Sequence, residues 1–141
     1  MQLFLGQIKG LEFYLDKAEV QHCVKVLRKT VGDSIHFICG DGNLYLGNIS
    51  FASKSNVYGS FTKVKSNFGS VPYDLTVAIA PTKNMDRFES FVEKAVEMGI
   101  KHIVPLICER SERKIVKTQR LEKIALSATK QSMKGTLTVI S

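Results

Sequence analysis

The sequence predicts two successive units, a small β-barrel and then a parallel α/β unit, and three observations carry that prediction. Short β-forming runs separated by tight turns fill residues 2–64. Residues 66–72 collect Asn67, Gly69, Ser70 and Pro72, the composition of a linker, so that unit one covers residues 1–70 and unit two residues 71–141. From Leu75 the pattern changes to strand, helix, strand, helix, and a βαβα order means a parallel sheet with crossover helices.

In the first unit, residues 2–5 and 11–15 are short apolar runs broken by Gly6 and Gly10, as strands near a turn would be. Asp16 then precedes residues 17–28, where Val20, Val24 and Leu27 recur at spacings of four and three, and Cys23 and Val26 widen the stripe. That spacing predicts a short amphipathic helix, with Asp16 as N-cap and Glu19 completing a capping-box-like pattern. Residues 34–39 alternate Ile35, Phe37 and Cys39 against Ser34, His36 and Ile38. Gly40-Asp41-Gly42-Asn43 is a hairpin signal, and residues 44–52 and 57–64 are further strands.

In the second unit, residues 75–80 (LTVAIA) form a continuous apolar run, the pattern of a strand buried on both faces. Residues 84–98 place Met85, Phe88, Phe91, Val92, Ala95 and Val96 at helical spacing, and Gly99 closes the helix. Residues 100–107 read as a second strand, and residues 117–133 as a second helix with Leu121, Ile124, Ala125 and Ala128 inward. Two strands are few against the usual sheet of about five or six. Either a partner chain or residues beyond Ser141 would supply further strands; the second is favoured, with residues 137–140 (LTVI) as the start of the next element, and the chain is expected to be the front portion of a longer protein.

Composition narrows the function. The 141 residues carry 20 Lys and Arg against 13 Asp and Glu, a net charge of +7. No run approaches the roughly 18 to 20 apolar residues of a membrane span, and no basic segment followed by an apolar core opens the chain. A cytoplasmic protein is expected. Cys23, Cys39 and Cys108 are too scattered for a disulfide scaffold, and His22, His36 and His102 lack ligand spacing, so no metal is expected. Neither a phosphate-cradling glycine loop nor a nucleophile elbow occurs, which argues against an NTPase or a serine hydrolase. The pairs Asp86/Glu89 and Glu93/Glu97, with Arg87 and Lys94 beside them, read as surface salt bridges.

Charge concentrates in two places. Residues 109–134 hold eight Lys or Arg against three Glu, a local balance of +5. Arg110 and Arg113 fall just past the carboxyl end of the second predicted strand, and Lys83 and Arg87 at the corresponding end of the first, where open α/β sheets bind ligands. Cations converging there would make a field for phosphates. In the first unit, His22, Lys25, Arg28 and Lys29 lie on or just after the short helix, placed either to touch a nucleic-acid backbone or to sit in water at a helix end. Tyr14, Tyr45 and Tyr58 offer stacking surfaces for bases, although strand aromatics more often serve as core or cross-strand pairs.

The segment His22-Cys23-Val24-Lys25-Val26-Leu27-Arg28 followed by Gly32-Asp33 resembles the amino-terminal signature of the ribosomal RNA small subunit methyltransferase E family, of the SPOUT superfamily. Asp86-Arg87-Phe88-Glu89, Glu93-Lys94-Ala95-Val96-Glu97-Met98-Gly99-Ile100, Ile103-Val104-Pro105-Leu106, Glu109-Arg110-Ser111 and Ala128-Thr129-Lys130-Gln131-Ser132 extend the likeness in the family's order. The resemblance implies a PUA-like β-barrel that holds RNA, followed by the first half of a knotted SPOUT-type α/β domain. It implies methylation of uridine N3 in 16S rRNA at the expense of S-adenosylmethionine, by a homodimer acting on rRNA or the small ribosomal subunit. It places Arg110 and Gln131 near the active site and Lys25 and Arg28 in the barrel motif. Lys83, Arg87, Arg113, Lys114 and Lys134 complete the expected RNA contacts. Asn84-Met85 depart from the basic residue and glycine that the family often has there. The family's glycine-rich cofactor loops have no counterpart after Gln131, so the cofactor pocket is expected beyond Ser141 and this chain alone is expected to be inactive. The rival readings are a non-catalytic RNA-binding module and a nucleotide-using enzyme of another α/β family.

Overall fold

The computed structural model describes residues 1–106 and 117–141. The chain divides into two compact units, Met1–Gly69 and Ser70–Ser141.

The first unit is a closed barrel of β1 (Leu3–Lys9), β2 (Glu12–Leu15), β3 (Ser34–Ile38), β4 (Leu44–Ala52) and β5 (Val57–Lys65), in the order β1-β2-β5-β4-β3. Neighbours pair antiparallel except at the seam, where β1 lies parallel to β3 with Phe4 opposite Phe37. Phe4, Phe13 and Phe37 are fully buried inside. The Phe13 and Phe37 rings stack at 4.8 Å, Tyr45 stacks on Phe37 at 5.2 Å, and Phe61 meets Tyr45 edge-on. So narrow an interior alternates large with small residues. At Gly47 an added Cβ would stand 2.6 Å from the Phe13 ring.

Two local readings change in the structure. Strand β1 runs through Gly6, whose partner is Leu15, and the turn falls at Gly10, with φ of 62°. The predicted 17–28 helix is a five-residue α1 (Lys17–Gln21) followed by a π turn, His22–Val26. A π turn takes an extra residue per turn, so the side chains that follow leave the α-helical stripe. Val20 and Cys23 are buried as the spacing predicts, whereas Val26 is 63% and Leu27 36% exposed. Asp16 occupies the cap position without a side-chain cap bond. The Glu19 carboxylate accepts from the Leu5 N–H at 3.1 Å, and the Asp16 N–H donates to the Leu5 carbonyl, so Glu19 ties the helix to β1 and does not close a capping box.

The second unit is a parallel sheet of β6 (Thr76–Ile79), β7 (His102–Pro105) and β8 (Val139–Ile140), with α2 (Met85–Glu97) and α3 (Thr118–Gln131) as crossovers. Both crossovers step in the same direction, and right-handed connections then put both helices on one face. Phe88, Val92, Ala95 and Val96 of α2 and Leu121, Ala125 and Ala128 of α3 pack with Ile103, Ile140, Val77 and Ile79 in one core. The LTVAIA strand is therefore covered on one face among the described residues: Val77 and Ile79 are partly buried, Thr76 and Ala78 exposed. Strand β8 lies within the LTVI segment. No helix among the described residues is long and apolar enough to cross a membrane.

Candidate nucleic-acid interface

The barrel's cations cluster where the π turn ends. The Leu27 N–H donates to the His22 carbonyl at 3.0 Å and the Lys29 N–H to the Cys23 carbonyl at 3.0 Å. Between them Arg28 takes a left-handed conformation, φ 54°. A left-handed residue at a helix end is usually glycine, and holding a side-chain-bearing residue there costs about 1–2 kcal/mol. Strain of this kind concentrates at functional positions. Lys25 and Arg28 are exposed and His22 and Lys29 half-buried, beside the exposed Val26 and Leu27. The His22 ring leans on Phe4, with centroids 6.1 Å apart.

In the second unit, Lys83 and Arg87 are exposed just past the carboxyl end of β6. There the start of α2 is held by Asn84, whose side-chain oxygen accepts from the Asp86 N–H at 2.9 Å. Ile79 and Pro105 pair, so the ends of β6 and β7 lie level. Arg110, Arg113 and Lys114, expected beyond β7, lie outside the described residues.

Gln131 and Lys134 belong to the other edge of the sheet. Helix α3 returns the chain to the start of β8, where the Val139 N–H donates to the Lys101 carbonyl at 2.9 Å and the Thr138 hydroxyl to the Ile100 carbonyl at 2.8 Å. Its 14 residues place Gln131 about 20 Å along the helix from Thr118. Gln131 lines an open groove with Glu93, Arg120, Lys123, Ile124 and Ser127. In that groove the Arg120 guanidinium forks onto Glu89, through its Nε to one carboxylate oxygen and its NH2 group to the other at 3.1 Å. The Arg120 hydrogen bond draws the Glu89 carboxyl below the usual range. The same groove continues past Lys117, Thr118 and Gln119. The Glu89–Arg120 pair spans 31 residues and has no local sequence signal.

Of the three tyrosines with stacking surfaces, Tyr45 is core. Its hydroxyl donates to Asp41. Burial raises the Asp41 carboxyl, but hydrogen bonds from Tyr45, Asn43 and Cys39 outweigh it and hold the group low.

Comparison with known proteins matches both units. Residues 70–141 match the family model of the RNA methyltransferase domain, and residues 15–62 that of the RNA methyltransferase PUA domain. The chain is 32% identical over 123 residues to ribosomal RNA small subunit methyltransferase E of Rickettsia conorii, covering 84% of this chain and 48% of the relative. This chain belongs to the ribosomal RNA small subunit methyltransferase E family. It spans about half the length of the curated family members it matches. A predicted RNA methyltransferase from Thermotoga maritima superposes with a TM-score of 0.85 at 25% identity, over 100% of this chain and 65% of the other. The family member from Neisseria gonorrhoeae, solved bound to S-adenosyl methionine, shares the fold with a TM-score of 0.79 at 22% identity, over 100% of this chain and 60% of the other.

Proposed function

We propose that this chain forms the RNA-holding barrel and the first part of the catalytic domain of an enzyme that methylates uridine N3 in 16S rRNA, a cytoplasmic homodimer acting on the small ribosomal subunit. The observation that carries the reading is the pairing, in one chain, of a closed barrel matching the RNA methyltransferase PUA domain with a parallel α/β unit matching the RNA methyltransferase domain. We read the α/β unit as the opening half of a knotted SPOUT domain.

Neutral uridine carries a proton on N3 and is a poor nucleophile until that proton leaves, so the site must stabilise a developing anion. Arg110 is the proposed source of that stabilisation. Gln131 presents both a donor and an acceptor, the pair needed to read a base by its edge, but α3 carries it to the edge of the sheet away from Lys83 and Arg87, so it is proposed to contact a different nucleotide from the one Arg110 serves. Lys25 and Arg28 on the barrel, Lys83, Arg87, Arg113 and Lys114 in the α/β unit, and Lys134 at the far edge of the sheet are the proposed contacts to RNA phosphates.

The methyl donor, S-adenosylmethionine, carries a sulfonium cation. The groove along α3, open and lined by Lys117, Arg120 and Lys123, does not suit it. We place the cofactor pocket beyond Ser141, where the family resemblance puts the glycine-rich loops.

Two measurements test the reading. Titration calorimetry with S-adenosylmethionine gives heat with the full-length protein and none with residues 1–141, and binding by the short chain would overturn the placement of the pocket. Arg110→Ala in the full-length protein lowers methyl transfer to 16S rRNA by about 100-fold, the usual cost of losing one charge-stabilising donor, with RNA affinity nearly kept. Unchanged transfer removes Arg110 from the reaction.

A further inference from the structure

The outer face of the barrel carries a row of rings that neither cation cluster explains. Tyr14 on β2, Tyr58 on β5 and Phe51 on β4 stand in register across three hydrogen-bonded strands. Phe51 and Tyr58 stack with centroids 5.0 Å apart and planes 14° apart, and Tyr14 meets Tyr58 at 5.3 Å and 33°. The Lys9 ammonium lies 5.4 Å from the Tyr14 centroid. Lys54, exposed, occupies the turn that follows β4 at the Phe51 end of the row. Glu12, paired with Lys9 across β1 and β2, puts a carboxylate at the Tyr14 end.

Core packing does not call for a phenylalanine in that place. Ile49 faces the barrel interior, and strict alternation along β4 would send Phe51 inward as well. A register shift between Ile49 and Phe51 leaves Ser50 as an extra residue, which turns Phe51 outward and returns Ala52 to the core against Val57. Gly59 on the facing strand makes the shift possible, since a Cβ there would stand 1.9 Å from the Asn48 carbonyl oxygen. Bulges of this kind re-aim a side chain, and this one leaves a phenyl ring 42% exposed beside Tyr58.

We infer that Phe51, the exposed end of the Tyr14–Tyr58–Phe51 stack, is a stacking platform for an unpaired base of an RNA strand, with Tyr58 and Tyr14 backing its inner face. An exposed ring held rigid by stacked neighbours takes up a splayed base, which has a π face whatever its identity, while nearby cations hold the phosphates. The net charge of +7 favours a polyanion, and Lys9 and Lys54 put a cation toward each end of the row. The inference rests on the RNA reading above and adds a preference to it: a base already stacked in a duplex has no free face to offer, so the platform favours single-stranded over double-stranded RNA.

The test uses the 141-residue chain with a fluorescently labelled single-stranded oligouridylate, an RNA duplex of equal length and an abasic strand. Phe51→Leu keeps apolar bulk but removes the flat face. It weakens single-strand binding about tenfold and leaves duplex binding unchanged. Phe51→Trp places the only tryptophan of the chain on the platform. Its emission is quenched by the oligouridylate and not by the abasic strand, and thermal melting verifies that both variants are folded. If Phe51→Leu binds the oligouridylate as wild type does, or if the abasic strand quenches equally, the platform is refuted while salt-dependent RNA binding survives. If the unaltered chain binds none of the three RNAs at low salt, the RNA reading itself fails.

Discussion

Replacing Gly59 with Ala isolates the contact on which the barrel's bulge depends. The new Cβ would lie 1.9 Å from the Asn48 carbonyl oxygen, 2.8 Å from the Ser50 nitrogen and 2.9 Å from the Asn48 carbonyl carbon. All three are backbone atoms, so no side-chain rotation relieves the overlap. Reaching even a tight contact of 3.0 Å requires β4 and β5 to separate locally by about 1.1 Å. That movement weakens the ladder bonds on either side of the bulge. Taking about 1 kcal/mol for each of two such bonds and about 1–3 kcal/mol for overpacking gives a loss of about 3–5 kcal/mol, a large share of a typical domain's stability. Gly32→Ala is the control. Gly32 has φ of 93° with open space around it, so alanine there meets strain but no clash and costs about 1–2 kcal/mol. Urea denaturation followed by circular dichroism at fixed temperature measures both. A Gly59→Ala protein within about 1 kcal/mol of wild type, or one less affected than Gly32→Ala, refutes the steric account.

Two further predictions follow from charge. Because the Arg120 hydrogen bond lowers the folded-state value of Glu89, the pair's contribution to stability is complete above the ordinary glutamate range and is lost as pH falls through the depressed value. The stability gap between wild type and Glu89→Gln should therefore be present at neutral pH and close in acid, and a gap independent of pH contradicts it. Burial, then the charge and hydrogen bond of Asp41, push the Cys39 thiol up to about 11. Iodoacetamide should label Cys39 slowly at neutral pH and faster in Asp41→Asn, as read by peptide mass spectrometry; equal rates count against the Asp41 contribution.

Local chemistry made much of this fold readable in advance. The Gly40–Asn43 turn, the strand from Leu44 to Ala52 and the amphipathic stripe of α2, stopped at Gly99, all follow from turn residues and periodicity within a short window. What escaped depends on partners far along the chain. The π turn leaves Val24 and Leu27 at helical spacing in the sequence, and only the tie from Glu19 to β1 and the left-handed Arg28 distinguish it. The outward turn of Phe51 requires a glycine on the neighbouring strand, eight positions away. The Glu89–Arg120 fork exists because α2 and α3 share one face of the sheet, which the handedness of two crossovers decides. The same geometry sends Gln131 and Lys134 to the edge away from Lys83 and Arg87, a separation that motif order along the chain does not express.

The seam between β1 and β3 governs how a growing chain acquires its barrel. Leu3–Lys9 and Glu12–Leu15 are the earliest strands made, yet their outer partners are β3 and β5, and the β5 residues that face β2, Tyr58 and Gly59, come more than 40 positions after it. At a synthesis rate of about 5–20 residues per second, Phe4 and Phe13 remain without their final neighbours for several seconds. During translation the leading hairpin therefore exposes these rings until β3, β4 and β5 have emerged to cover them.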